Sequence, residues 1–433
     1  RGAWNLPIIE SIVSQHAEEA AFLWLLRDLA VAAPHYSLQD LEDLDERVEA
    51  HIDGLRVAGA SGWVFCSEGL QQQESGEVFT AAVIALEGDK PQRLREVYAA
   101  VEMAPETERG LISAIGWINP DKLKGKIAAL LSSDAPMWRR VGIAACAVHR
   151  VDCGDHLRRA IDDPDPGLKT RALRAAGETG RRDLLPALRG QLTHDDPSCA
   201  FWAAWSAVLL GDRGAGVASL QNIALTDGPF STRAIQVLLR VLDFGDAADS
   251  LKALSRATSR RRDLIIGCAV LGDVAYVPWL IQQMSDAPEW ARVAAEAFSM
   301  ITGANLAYED LDADQPEGFE AGPTEALADE DVSMDPDEDL PWPSPPRIQS
   351  WWNANLGRFS AGTRYLAGSP ITESDSRELL ATGTQRQRIA AALELALMHA
   401  DTPLFETRAP GRRQQALLAP SSQSKPNSGP THS

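Results

Sequence analysis

The densest group of metal-ligating side chains is Cys146, His149, Cys153 and His156, a C-x2-H-x3-C-x2-H spacing that offers four donors of the kind a tetrahedral zinc ion takes. Placement argues against convergence. Cys146 lies in the apolar stripe of a helical segment, while Cys153 and His156 cross into the turn that follows. Asp310, Asp312 and Asp314 imitate the opening of a calcium loop, but Gln315 stands where its glycine is needed and Ala321 where its closing glutamate is needed. His16, Glu18 and Glu19 do not make an H-E-x-x-H helix, and no G-x-S-x-G, Walker A or dinucleotide glycine pattern occurs. The expectation is therefore a non-enzymatic chain with no catalytic residue, no cofactor and no metal.

The remaining candidates suit protein recognition. Twelve Trp against 5 Tyr and 10 Phe is a high count, and Trp138, Trp202, Trp205 and Trp290 recur near the starts of similar helical segments. Arg139, Arg140, Arg171, Arg174 and Arg292 stand beside them or at equivalent positions, as a basic ladder in an otherwise acidic chain. Packing between neighbouring segments accounts for such tryptophans; their other use is as interface anchors, because Trp and Arg supply much of the energy at protein hot spots. Asp335, Asp337, Glu338 and Asp339, followed by Trp342, Trp351 and Trp352, complete the set of candidate contacts.

These residues are positioned by a repeat of about 31 residues. Similar helices open at Glu74, Pro105, Pro136, Pro166, Pro197, Pro229, Arg260 and Pro288. Proline is favoured in a first helical turn, where its missing N–H costs nothing, and it excludes helix from the residue before it. Apolar residues then recur at helical spacing, as in Leu168, Ala172, Ala175 and Ala176. Gly88, Gly180, Gly211, Gly245 and Gly272 are expected to end first helices in a left-handed cap, and a second helix follows each. Two helices of 10 to 14 residues fill the period and leave no room for strands.

The stretch DDPDPGLKTRALRAAGETGRRDLLPALRGQLTHDDP, Asp162 to Pro197, resembles short HEAT-like repeats. That resemblance implies an all-α solenoid in which each helix pair buries its face on its neighbours. The division read from the sequence is an N-terminal helical cap over 1–73, repeats over 74–303, an acidic Pro-containing linker over 304–346, a C-terminal helical segment over 347–420 and a disordered tail over 421–433. Within the linker, Ala307 to Leu340 carries 14 acidic residues and no Lys or Arg, so an extended or disordered segment is expected. Ser37 reads as the N-cap of a helix through Gly54.

The formal charge of −20 repels phosphate backbones and anionic lipid alike, which argues against nucleic acid and membrane surfaces as partners. Ala20 to Ala33 is interrupted by Arg27 and Asp28 and is too short to span a bilayer; five Cys at irregular spacing make no disulfide framework. Both features point to the cytoplasm. QHAEEAAFLWLLRD (Gln15 to Asp28), LDERVEAHIDGLRVAG (Leu44 to Gly59), EGFEAGPTE (Glu317 to Glu325), DEDVSMDPDEDLPWP (Asp329 to Pro343) and RFSAGTRYLAG (Arg358 to Gly368) resemble a family of uncharacterised bacterial proteins whose genes lie beside type VI secretion components. The resemblance implies an adaptor, chaperone or accessory factor for a secretion component or its cargo. An immunity protein that covers a toxin and, from another class, an enzyme with a repeat-built pocket such as a lyase are the alternatives.

Overall fold

The computed structural model describes residues 9–322 and 335–419, so the expected tail and the middle of the acidic stretch lie outside the described residues. Three helices precede the repeats: α1 (Glu10–Ala30), α2 (Leu38–Ala58) and α3 (Ala60–Gly69). Ser37 caps α2 in a capping box with Asp40. Seven helix pairs follow: α4 (Ser75–Glu87) with α5 (Pro91–Met103), α6 (Glu108–Trp117) with α7 (Lys126–Leu131), α8 (Pro136–Val148) with α9 (Asp155–Ile161), α10 (Pro166–Glu178) with α11 (Leu185–Arg189), α12 (Pro197–Leu209) with α13 (Ala215–Leu225), α14 (Ser231–Val241) with α15 (Phe244–Leu254), and α16 (Arg261–Leu271) with α17 (Val277–Asp286). The eighth first helix is α18 (Pro288–Thr302), and α19 (Pro345–Asn355), α20 (Glu373–Thr382), α21 (Gln385–Met398) and α22 (Gly411–Leu418) complete the described chain.

The punctuation works as proline and aspartate chemistry predicts. Pro166 and Pro197 occupy the first turns of α10 and α12, while the Asp165 carboxylate accepts from the Leu168 N–H and Asp196 from those of Ser198 and Cys199. Gly180, Gly211 and Gly272 take positive φ at the ends of first helices. Gly88 and Gly245 do not: Gly88 ends α4 in an extended conformation, and Gly245 lies in the first turn of α15, behind an Asp243 N-cap. The second helices of the second, third and fourth pairs contain only 6, 7 and 5 residues, shorter than the period suggested. Pro186 and Gly190 confine α11 from both ends.

First helices stack side by side in one layer, α4 through α18, with α1 continuing the layer beside α4. Second helices form an outer layer and touch one another less than the first helices do in this inner layer. α19 packs on α17, with Ile348 and Trp352 buried against the core of the last repeats. That is the place of a missing second helix. The described parts of the acidic stretch thus lie between the eighth first helix and a helix in the place of its second. They are also packed: Leu306, Leu311 and Leu340 are buried, and the Ala313 N–H donates to the Trp342 carbonyl. Low hydropathy made this segment look unable to order. A few leucines and specific ion pairs anchor it on an existing surface, so it needs no core of its own.

From Phe359 to Ala419 the chain returns as a strap across the C-terminal ends of the first helices. The Tyr365 N–H donates to the Gly272 carbonyl beyond α16, Ala367 and Gly368 donate to Met300 and Ile301 of α18, and Leu404 donates to Glu178 of α10. Farther along, Arg413 donates to the Val148 and Gly116 carbonyls, and Arg27 of α1 donates to those of Arg408 and Ala409. A hairpin of two two-residue strands, Tyr365–Leu366 and Ser369–Pro370, is the β-structure among the described residues. Near the start of α21 the Arg386 guanidinium donates both to the Ala32 carbonyl, just beyond α1, and to Glu296 of α18. The two ends of the stack thus lie within the span of one side chain.

Candidate protein-interaction surface

Most of the tryptophans and arginines singled out from sequence hold repeats together. Trp138 is buried, donates its indole N–H to Glu102 at 2.9 Å and packs on Tyr98. Arg139 bonds the Ser133 and Asp134 carbonyls and Asp163, which ties one inter-repeat turn to the next. Arg140 makes a two-pronged contact with Glu108 of α6. Trp205 is buried, and Trp290 packs at the edge of the same core.

The acidic arm and its tryptophans are likewise engaged inside the molecule. Arg262 donates both terminal nitrogens to Asp337, and Arg292 reaches Asp335 and the Asp337 carbonyl. Trp342 lies over the Arg292 guanidinium at 4.4 Å, with Phe319 on the same cation. The ring electrons and the carboxylates both stabilise a guanidinium that is itself buried. Asp335 and Asp337 thus have basic partners inside the molecule, Arg292 and Arg262, and together these close the end of the stack. Glu338 and Asp339 remain exposed. Trp352 is buried, and Trp351 donates to Glu309 while meeting Phe298 edge-on.

What remains open on the inner layer is a column of exposed or half-buried residues at the repeat spacing: Arg109, Arg140, Arg171, Trp202 and Arg233. Arg174, one turn after Arg171, lies over the Trp202 ring at 4.7 Å. Trp202 in turn meets Trp205 edge-on at 5.2 Å. Arg171 and Arg174 share the buried Glu178. Burial alone would push the Glu178 carboxyl up, but Arg171, Arg174 and Arg150 outweigh it and hold the group at about 2. Arg233 is exposed, and its pKa is lowered by partial burial and by the neighbouring Arg174 charge. A guanidinium thus stacks on an indole face, and a second, exposed guanidinium lies near the first, on an acidic protein.

Arg109 and Arg233 were missed in the sequence, although they stand 31 residues before Arg140 and 31 after Trp202. Aligning whole repeats would have found them, whereas looking for residues beside helix starts did not. α1 also presents Phe22, Leu26 and Leu29 to solvent.

The Cys/His group does not assemble. Cys146 and Cys153 lie thiol to thiol, but His149 is held between the Ile115 carbonyl and Arg413, and His156 lines a separate cleft with Arg139, Arg159 and Asp163. Among the described residues no group of three or more His, Cys, Asp or Glu is placed to hold a metal ion. No described helix is long and apolar enough to cross a membrane.

Residues 154–243 match the HEAT repeats family, which covers the segments from α9 to the start of α15 and includes Arg171, Arg174, Trp202 and Arg233. No curated protein matches the chain. With the helix-pair stack, this match makes the protein a HEAT-like helical-repeat solenoid, an architecture that generally serves as a protein-interaction scaffold.

Proposed function

We propose that the protein is a non-enzymatic scaffold that grips an acidic segment of another protein along the open part of its inner layer. The supporting observation is the Arg174–Trp202 stack beside the exposed Arg233: one guanidinium lies over the indole, and the second is close enough for the Arg174 charge to act on it. Arginine forks match carboxylates in geometry, and an indole supplies the apolar contact that a charged ladder alone lacks. The strap covers the C-terminal ends of the first helices, so the partner binds nearer their N-terminal halves. In this reading the protein acts as a cytoplasmic adaptor, chaperone or accessory factor for a type VI secretion component or its cargo, which the sequence resemblance supports.

The test is co-purification from the native host with cross-linking and mass spectrometry, using wild type beside a Trp202→Ala, Arg233→Glu variant. The reading expects a partner cross-linked through an Asp/Glu-rich segment to the wild type and lost from the variant. Equal recovery on both proteins would remove the column from the binding surface.

A further inference from the structure

A second cluster of arginines lies where the strap meets the stack. A cleft of about 360 Å³ opens between the ends of α12 and α14 and the strap, and its polar walls are Arg213, Arg240, Arg364 and Glu394. Leu397 and Met398, with Ile371 and Val241, supply an apolar side. Three guanidiniums thus face one carboxylate.

The hydrogen bonds show how that surplus is tolerated. Arg213 donates to the Val208 and Leu397 carbonyls at 2.6 and 3.1 Å. Arg364 donates to the carbonyls of Leu271, Val270 and Arg240, and to Glu394 at 3.0 Å. Most of these carbonyls belong to helix ends, whose partial negative charge favours cations. They carry no full charge, however. Glu394 is buried, and a single oxygen, Oε1, serves both Arg364 and Arg240.

Arg240 is the residue that points to a ligand. Its side chain is only 5% exposed, and its Nε lies 3.1 Å from Glu394 Oε1 without the alignment of a hydrogen bond. A buried N–H left without an acceptor is costly, and a buried cation sharing its only counter-ion is more so. Burial also pushes the Arg213 and Arg240 guanidiniums below their ordinary pKa. A dianion in the cleft would balance the two positive charges that Glu394 leaves over, and it would supply acceptors to all three forks.

We propose that this cleft binds a small phosphate monoester, its phosphoryl group among Arg213, Arg240 and Arg364 and its compact apolar body against Leu397 and Met398. Because the walls come from both stack and strap, the ligand clamps one onto the other. This proposal stands independently of the partner surface, which lies on a different part of the inner layer.

Calorimetric titration of the full chain at constant ionic strength tests it with inorganic phosphate, phenyl phosphate and benzoate. Phenyl phosphate should bind one to one, more tightly than phosphate, which lacks the apolar body, and than benzoate, which carries one charge. Arg213→Gln removes one charged fork and should weaken phenyl phosphate by roughly tenfold or more. Met398→Trp, at a position 41% exposed and so tolerant of bulk, should block the apolar side and weaken it as well. Circular dichroism confirms the fold of each variant. No saturable binding of phenyl phosphate to the wild type, or unchanged affinity in a folded variant, overturns the proposal.

Discussion

At the scale of single residues, His149 shows how a side chain that looked like a metal ligand is used instead. Arg413 donates to its Nδ1 at 3.0 Å, so the ring proton sits on Nε2 and is donated to the Ile115 carbonyl at 2.9 Å. Burial pushes its pKa below the ordinary 6.5, the Ile115 bond opposes this, and the Arg413 charge adds to the lowering. The folded state thus holds the neutral ring while the unfolded chain binds a proton near pH 6.5. Stability from this site is complete above that value and is lost as pH falls through it toward the lowered folded pKa. Melting curves between pH 7.5 and 5.5 should show the midpoint dropping with acidity, and His149→Gln should give a flatter profile. An identical profile in the variant would mean that His51, whose pKa is also lowered by burial, carries the dependence. The sequence made the C-x2-H-x3-C-x2-H pattern visible but not the partner that explains its second member, since Arg413 lies 264 residues away.

At the scale of helices and turns, the glycines that end first helices do two things at once. Gly272 has a φ of +71°, and a Cβ there would lie 2.2 Å from the Tyr365 carbonyl oxygen of the strap. At Gly303 a Cβ would lie 2.5 Å from the Ala367 carbonyl oxygen, and at Gly180, less tightly, 3.0 Å from that of Asp401. Replacing Gly272 with alanine should therefore cost at least about 2 kcal/mol, through left-handed strain plus displacement of the strap, and chemical denaturation would measure it. The first role was legible because a helix stop is a local signal beside a local period. The second was not: which backbone passes over a turn depends on residues far along the chain, from Ala367 over Gly303 to Asp401 over Gly180. The same limit explains the acidic arm, whose composition predicts disorder while Arg262 and Arg292, hidden among ordinary helix arginines, anchor its described ends. Pattern reading found the repeat helices and Arg140, Arg171 and Trp202 of the Arg/Trp column, and it failed where a side chain's partner comes from the strap or the acidic arm.

At the scale of the whole molecule, the stack and strap form one unit. Arg386 joins Ala32 to Glu296, Gln385 donates to the Val31 carbonyl, and Asp45 accepts both from Arg27 and from the Gly411 N–H. Arg388, fully buried behind them, has its guanidinium held by the Leu380 carbonyl and the amide oxygens of Gln385 and Gln414. Removing residues 359–433 should lower the melting midpoint of the repeats and expose helix-end carbonyls to rapid hydrogen exchange. An unchanged midpoint would show that the stack stands without its strap. The meeting of the two ends at Arg386 also bears on how the chain folds. An open solenoid frays from its termini, because a terminal repeat has one neighbour instead of two. Here each end has the other, through the strap, so the structure behaves as a hoop with no free end from which to unravel. The contact that closes the hoop spans 354 residues, an ordering cost of about 5 kcal/mol for a flexible chain of that length, so it forms late, after the repeats have shortened the effective loop. Once closed, it makes the opening of either terminal repeat a cost shared by both, and local fraying becomes a cooperative event.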